Sequence, residues 1–169
     1  MDNKLNTTVR RGFWLVLIFG FAAHFFYEWS GQNFLAGLFF PVNESTWEHM
    51  KLIFIPMFLW TIFLAFRFPE SRDCVISGFL AGLLLGTAAI PVLFYTYSGI
   101  LGKNVMVLDI LVYIICMMTA FYTGWRMTKS CRLKPYTRLL EIIVYLILLC
   151  FVIFSVHPPK LGVFHPPAA

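Results

Sequence analysis

Apolar residues gather in five long runs, Gly12–Trp29, Ser45–Phe66, Val75–Tyr97, Val105–Trp125 and Thr137–Val156, with polar connections between them. Each run is near the ~20 residues that a helix needs to cross ~30 Å of hydrocarbon. The pattern predicts an all-α integral membrane bundle of about five transmembrane helices, built as a single domain over residues 1–169. One connection differs from the rest. Residues 30–44 are too apolar for a water-exposed loop and are expected to dip into the interface or fold back over the bundle. In the third run, Gly78, Gly82 and Gly86 recur every four residues, a smooth helical stripe that lets another backbone approach closely. A second copy of the chain is one candidate for that neighbour. Pro56 and Pro91 each remove a backbone hydrogen bond from their helices.

Composition agrees with lipid as the solvent. Of 169 residues 60% are hydrophobic and only 12% charged, more apolar surface than a soluble domain of this size can hide. The formal charge of +5 follows topology rather than nucleic acid, because the basic residues cluster beside the apolar runs. Ten of the 13 basic residues fall on one side: Lys4, Arg10, Arg11, Arg67, Arg72, Arg126, Lys129, Arg132, Lys134 and Arg138. Lys51, Lys103 and Lys160 fall on the other. The positive-inside rule then predicts a multi-pass protein of the cell membrane with a cytoplasmic N-terminus and an outer C-terminus. Trp14 and Trp125 fit the inner aromatic belt, and Trp29 and Trp47 the outer one. Arg10-Arg11 followed by an apolar run also suits a signal peptide, but the run is rich in bulky aromatics and lacks an A-x-A site, so an uncleaved helix is expected. The four cysteines show no C-x-x-C spacing and predict no disulfide framework.

Candidate chemistry is distributed asymmetrically. His24, Glu28, Glu44, Glu48, His49, Asp109, His157 and His165 all fall toward the outer side by this topology, with few cations to balance them. Imidazoles and carboxylates gathered in this way suit a divalent metal such as zinc, or a cationic solute. His24 and Glu28, four apart, are expected on one helix face, and charge at that depth is expensive unless it is used. In Asn43-Glu-Ser-Thr-Trp-Glu-His-Met-Lys51, Ser45 and Glu48 fit a capping box. Capping does not account for His49 and Lys51 beside them. The candidate metal ligands are therefore His24, Glu28, Glu44, His49 and His157. Glu48 and Asp109 are the candidate general bases. Asn43, Trp47, Lys51 and Tyr97 are the candidate substrate contacts, with Lys51 suited to an anionic headgroup. Asp109 is expected to pair with Lys103 or with a tyrosine at the end of the third run. The Pro-rich tail from His157 is expected to lie over the outer mouth, with His165 a bystander. H-E-x-x-H, G-x-S-x-G and phosphate-binding glycine loops are absent from the sequence.

The segment PVNESTWEHMK, with HFFYEWSG before it, resembles a family of small bacterial membrane proteins of unknown function marked by Asn-Glu-Ser-x-Trp-Glu-His-x-Lys. The resemblance runs through most of the chain and points to Glu28, Asn43, Glu44, Trp47, Glu48 and His49. It implies a small multi-helix membrane protein and supplies no reaction.

Three functions compete on these grounds. One is a metal site acting hydrolytically on a lipid or another membrane-borne substrate. Another is a small transporter or cation-binding protein, for which five spans without an inverted repeat are few. The last is an accessory subunit whose polar cluster meets a partner protein.

Overall fold

The computed structural model describes residues 2–166, with the Asp2 side chain excepted. Pro167, the last proline of the tail motif, lies outside the described residues. Helix α1 runs Asp2–Ala23, and two short helices follow, α2 at Phe26–Trp29 and α3 at Phe34–Phe39. The long helices α4 (Thr46–Arg67), α5 (Arg72–Leu101), α6 (Met106–Ser130) and α7 (Thr137–Val156) complete the bundle. The described residues contain helices and no strands. This is the all-α membrane bundle that the apolar runs predict.

Among the described residues, four helical segments are long and apolar enough to cross a membrane, those built on α4, α5, α6 and α7. Helix α1 differs because its first turns are polar and its apolar part begins only at Gly12. The chain then leaves helical geometry at His24–Phe25 before α2 begins, so the run Gly12–Trp29 is not one continuous helix. Helix α5 is longer than its apolar run, reaching Leu101, where Gly102 takes φ +69° and ends it. Pro56 and Pro91 lie inside α4 and α5 without ending either helix.

Helix α5 is the central element and packs against α4, α6 and α7, while α1 packs on α4 and α6. The glycine stripe explains the closest of these contacts. A side chain at Gly78, Gly82 or Gly86 would run into Thr128, Gly124, Ala120 or the Cys116 carbonyl of α6. The stripe is therefore filled within the chain, and the interface it offered to a second copy is already occupied. Because the obstacle at Gly82 is α6 backbone, Gly82→Ala is expected to destabilise the bundle by about 1–3 kcal/mol. Unfolding in detergent, read by circular dichroism, checks this.

Helix α7 buries only Thr137, Val144 and Phe151, one stripe at seven-residue spacing. Its other faces carry exposed Leu139, Ile142, Tyr145, Leu146, Leu149 and Ile153, as expected of a helix solvated by lipid.

The cysteines require a correction. Cys74 and Cys131 form a disulfide with Cα atoms 4.8 Å apart, although their spacing in sequence gave no sign of it. They meet because the start of α5 lies beside the end of α6. Cys116 and Cys150 are free. This end of the bundle also carries Arg67, Arg72, Arg126, Lys129, Arg132, Lys134 and Arg138 around the helix termini, and is called the basic end below. The opposite end holds the turns from α1 into α4.

Candidate metal centre

Ser45 begins the construction. Its hydroxyl accepts from the Glu48 amide at 3.3 Å and caps α4. Ahead of it, the Asn43 side chain accepts from the Ser45 amide at 2.8 Å, a turn that sets Glu44 at the mouth of the helix. One turn into α4, His49 Nδ1 lies 2.9 Å from the Ser45 carbonyl. A carbonyl can only accept, so Nδ1 carries a proton; Nε2 then offers its lone pair when the ring is neutral and an N–H toward Glu44 when the ring is protonated. Nε2 faces Glu44 Oε2 at 3.4 Å, while His24 Nε2 faces Glu44 Oε1 at 3.5 Å. The break in helix after Ala23 turns His24 toward this point, and its ring stacks on His49 with centroids 5.3 Å apart.

An imidazole lone pair facing a carboxylate is repulsive unless a cation lies between them, either a proton or a metal. One donor atom from each of His24, Glu44 and His49 lies within 4.8 Å of the others. A tetrahedral zinc with bonds of ~2.1 Å holds its donors ~3.4 Å apart, so the set, whose two contacts run to different Glu44 oxygens, would draw in slightly around an ion. His24 Nδ1 is buried and has no hydrogen-bond partner. Contact with His49 holds Glu44 below the ordinary carboxylate range, and the charges of both histidines add to the effect while partial burial opposes it. Glu44 is therefore an anion across the neutral range and is ready to meet a cation.

A cavity of about 360 Å³ opens beside the cluster. Its polar rim is Glu44, Thr46, His49, Asn104 and Asp109, and its floor is Leu52, Ile90, Phe94, Val112 and Tyr113. Pro166, from the tail, also lines it. Asp109 accepts a hydrogen bond from the Tyr97 hydroxyl, which in turn accepts from the Val105 amide. Asp109 thus pairs with a tyrosine, one of its two expected partners, and faces the cavity from α6.

Other candidates lie elsewhere. Glu28 is exposed on α2, near enough to His24 for its charge to be felt there. His157 caps the end of α7 and is exposed. Neither belongs to the donor cluster. Glu48 and Lys51 turn away from the cavity into a buried network. Lys51 Nζ contacts Glu48 Oε2 at 2.7 Å, donates to the Gly37 carbonyl at 3.1 Å and meets the Ser155 hydroxyl. Glu48 also accepts from the Val42 amide at 3.0 Å and from Ser155 at 3.3 Å. Both side chains are at most 3% exposed, so neither a general base nor a headgroup contact is available from them. Trp47 packs among Phe151, Phe154 and Phe164 of α7 and the tail and does not line the cavity. Asn43 uses its side-chain oxygen in its turn and does not line the cavity. Four participants escape sequence reasoning: Thr46 and Asn104 on the rim, and Ser155 and Gly37 in the network. Ser155 alone gives a signal, as a lone hydroxyl near the end of an apolar run.

Over residues 2–168 the sequence matches a family of unknown function, DUF6512. The chain belongs to that family. It is also 34% identical over 111 residues to heme A synthase of Ehrlichia canis (strain Jake), a match covering 61% of this chain. The chain spans only 30% of the length of that protein. No solved structure matches. This DUF6512 member is a multi-pass membrane protein by its helices, and its family brings no reaction with it.

Proposed function

We propose that this protein binds a divalent metal through His24, Glu44 and His49 and uses it to hydrolyse a membrane-borne substrate held in the adjoining cavity. The observation that carries the reading is the convergence of three donors from three different segments within 4.8 Å of one another, at the rim of an apolar-floored cavity. Two histidines and one glutamate are also the ligand set of catalytic zinc sites that keep a fourth position open. A bound metal supplies a water of lowered pKa and polarises a carbonyl or phosphoryl oxygen. Asp109, on the same rim and oriented by Tyr97, is the group suited to accept a proton there. With Glu48 committed to Lys51, Asp109 is the better of the two candidate bases. The test is metal content in purified protein by plasma mass spectrometry. Stoichiometric metal supports the reading, and metal-free protein that takes up no added zinc overturns it.

The likeness to heme A synthase raises heme as another ligand. Two axial imidazoles stand on opposite faces of a porphyrin. Here the two rings stack side by side with centroids 5.3 Å apart, and both point at Glu44, which favours one small ion on their shared side.

The charge distribution supports a topology in which the metal centre faces outward and the basic end faces the cytoplasm. That compartment keeps thiols reduced. On this topology the Cys74–Cys131 bond of the structure closes only on oxidation outside the living cell, and in intact cells both thiols are expected to be alkylated by a permeant maleimide without prior reduction, read as a mass shift. Protection from the reagent until reductant is added would put the basic end in an oxidising compartment and reverse the topology.

A further inference from the structure

At the basic end, α1 and α6 leave a groove of about 430 Å³ between them, lined by none of the metal ligands. Val9, Arg10 and Phe13 line it from α1, and Phe121, Tyr122 and Trp125 from α6. On each helix these positions follow the three- and four-residue spacing of a single face. The groove is apolar except at its rim, where Arg10 is exposed. Trp125 is held in place by an indole N–H bond of 2.7 Å to Asn6 on α1. It also borders a second cavity, of about 320 Å³, lined by Arg126, Lys129 and Arg132. Lys129 stands over the Trp125 ring at 5.0 Å, and Arg126 points back to the Tyr122 hydroxyl at 3.5 Å.

An apolar trough that ends in a cationic rim fits one class of ligand. We propose that this face binds an anionic phospholipid, with an acyl chain along the α1/α6 groove and its phosphate between Arg10 and Arg126. Among the described residues no carboxylate lines either cavity, and the contact of the Arg126 guanidinium there is the neutral Tyr122 hydroxyl. Guanidinium groups bind phosphate oxygens through paired donors. Basic pockets between membrane helices recognise acidic headgroups in this way. A free inorganic phosphate would use the rim and leave the trough without a role. The inference is independent of the metal reading, since it shares no residue with that site.

The experiment uses the full chain in nanodiscs of phosphatidylcholine containing a minor share of phosphatidylglycerol. Brominated acyl chains quench tryptophan on contact. Brominated phosphatidylglycerol is expected to quench more than brominated phosphatidylcholine, and the excess should vanish in Trp125→Phe. Arg10→Gln/Arg126→Gln should weaken the preference about thirtyfold, at ~1 kcal/mol for each charge. Arg67→Gln/Lys134→Gln, with equal charge lost at the same end, should leave it intact. Arg10→Lys/Arg126→Lys keeps the charge and should retain most of the preference even where the glutamine variant folds poorly. Equal quenching by both lipids overturns the proposal. So does a preference that survives the Arg10/Arg126 double glutamine variant, or one abolished by millimolar inorganic phosphate.

Discussion

Replacing His49 with alanine is expected to lower the affinity for zinc by more than about a hundredfold, since even partners behind the ligands cost 10–100-fold and His49 is itself a ligand in this reading. The argument rests on what each donor is doing before metal arrives. His49 is oriented by the Ser45 carbonyl at 2.9 Å, so no rotamer search precedes binding. Glu44 sits between the two histidines and bridges them whichever cation is present. Loss of His49 leaves His24 and Glu44, and two ligands do not hold a divalent ion against water at micromolar concentration. Glu28→Gln and His157→Ala should bind zinc like the unaltered protein, because both residues are exposed and outside the cluster. Equilibrium dialysis with elemental analysis gives the comparison. Equal zinc binding by His49→Ala and the unaltered protein would remove the metal centre. A loss in Glu28→Gln equal to that in His49→Ala would redraw it.

The sequence marks His24, Glu44 and His49 as candidates because imidazoles and carboxylates without counter-ions are costly near lipid. It cannot rank them against Glu28 and His157, because the ranking depends on one local event. The helix stops at Ala23, one residue before His24, and the turn that follows brings His24 to Glu44 and His49 while Glu28 stays exposed on α2. Periodicity is blind to such a break, since Phe25 and Phe26 continue the apolar run unchanged. Lys51 shows a different limit. A lysine one turn into a membrane helix reads equally well as a headgroup contact or as half of a buried pair. Its partners are Glu48, three residues away, Gly37 in the folded-back segment and Ser155, more than a hundred residues along the chain. Only the last two decide between the readings. The Cys74–Cys131 disulfide was hidden in the same way, by a sequence separation of 57. The bundle itself is visible in the hydropathy, because in lipid only a helix satisfies its own backbone.

Lys51→Met is expected to be among the most damaging single changes in the protein, at about 3–5 kcal/mol of folding stability, because removing one member of a buried ion pair strands the other charge. Here the stranded group is Glu48, with a side chain 3% exposed. It would keep its bonds from the Val42 amide and the Ser155 hydroxyl but lose the ammonium that balances its charge. The Gly37 carbonyl would lose its donor as well. That carbonyl ties α3 to α4, and Ser155 ties both to α7, so the damage should appear first as loosening of residues 34–42 in hydrogen exchange. Glu48→Gln/Lys51→Met removes both charges while sparing the Ser45 cap, which uses the backbone of residue 48, and should recover most of the lost stability. Zinc binding by the folded double variant should match the unaltered protein, because the network and the cluster share the α4 backbone but no side chain. A double variant that is stable yet binds no zinc would return Glu48 or Lys51 to the site. A Lys51→Met protein as stable as the unaltered one would mean that water reaches the pair.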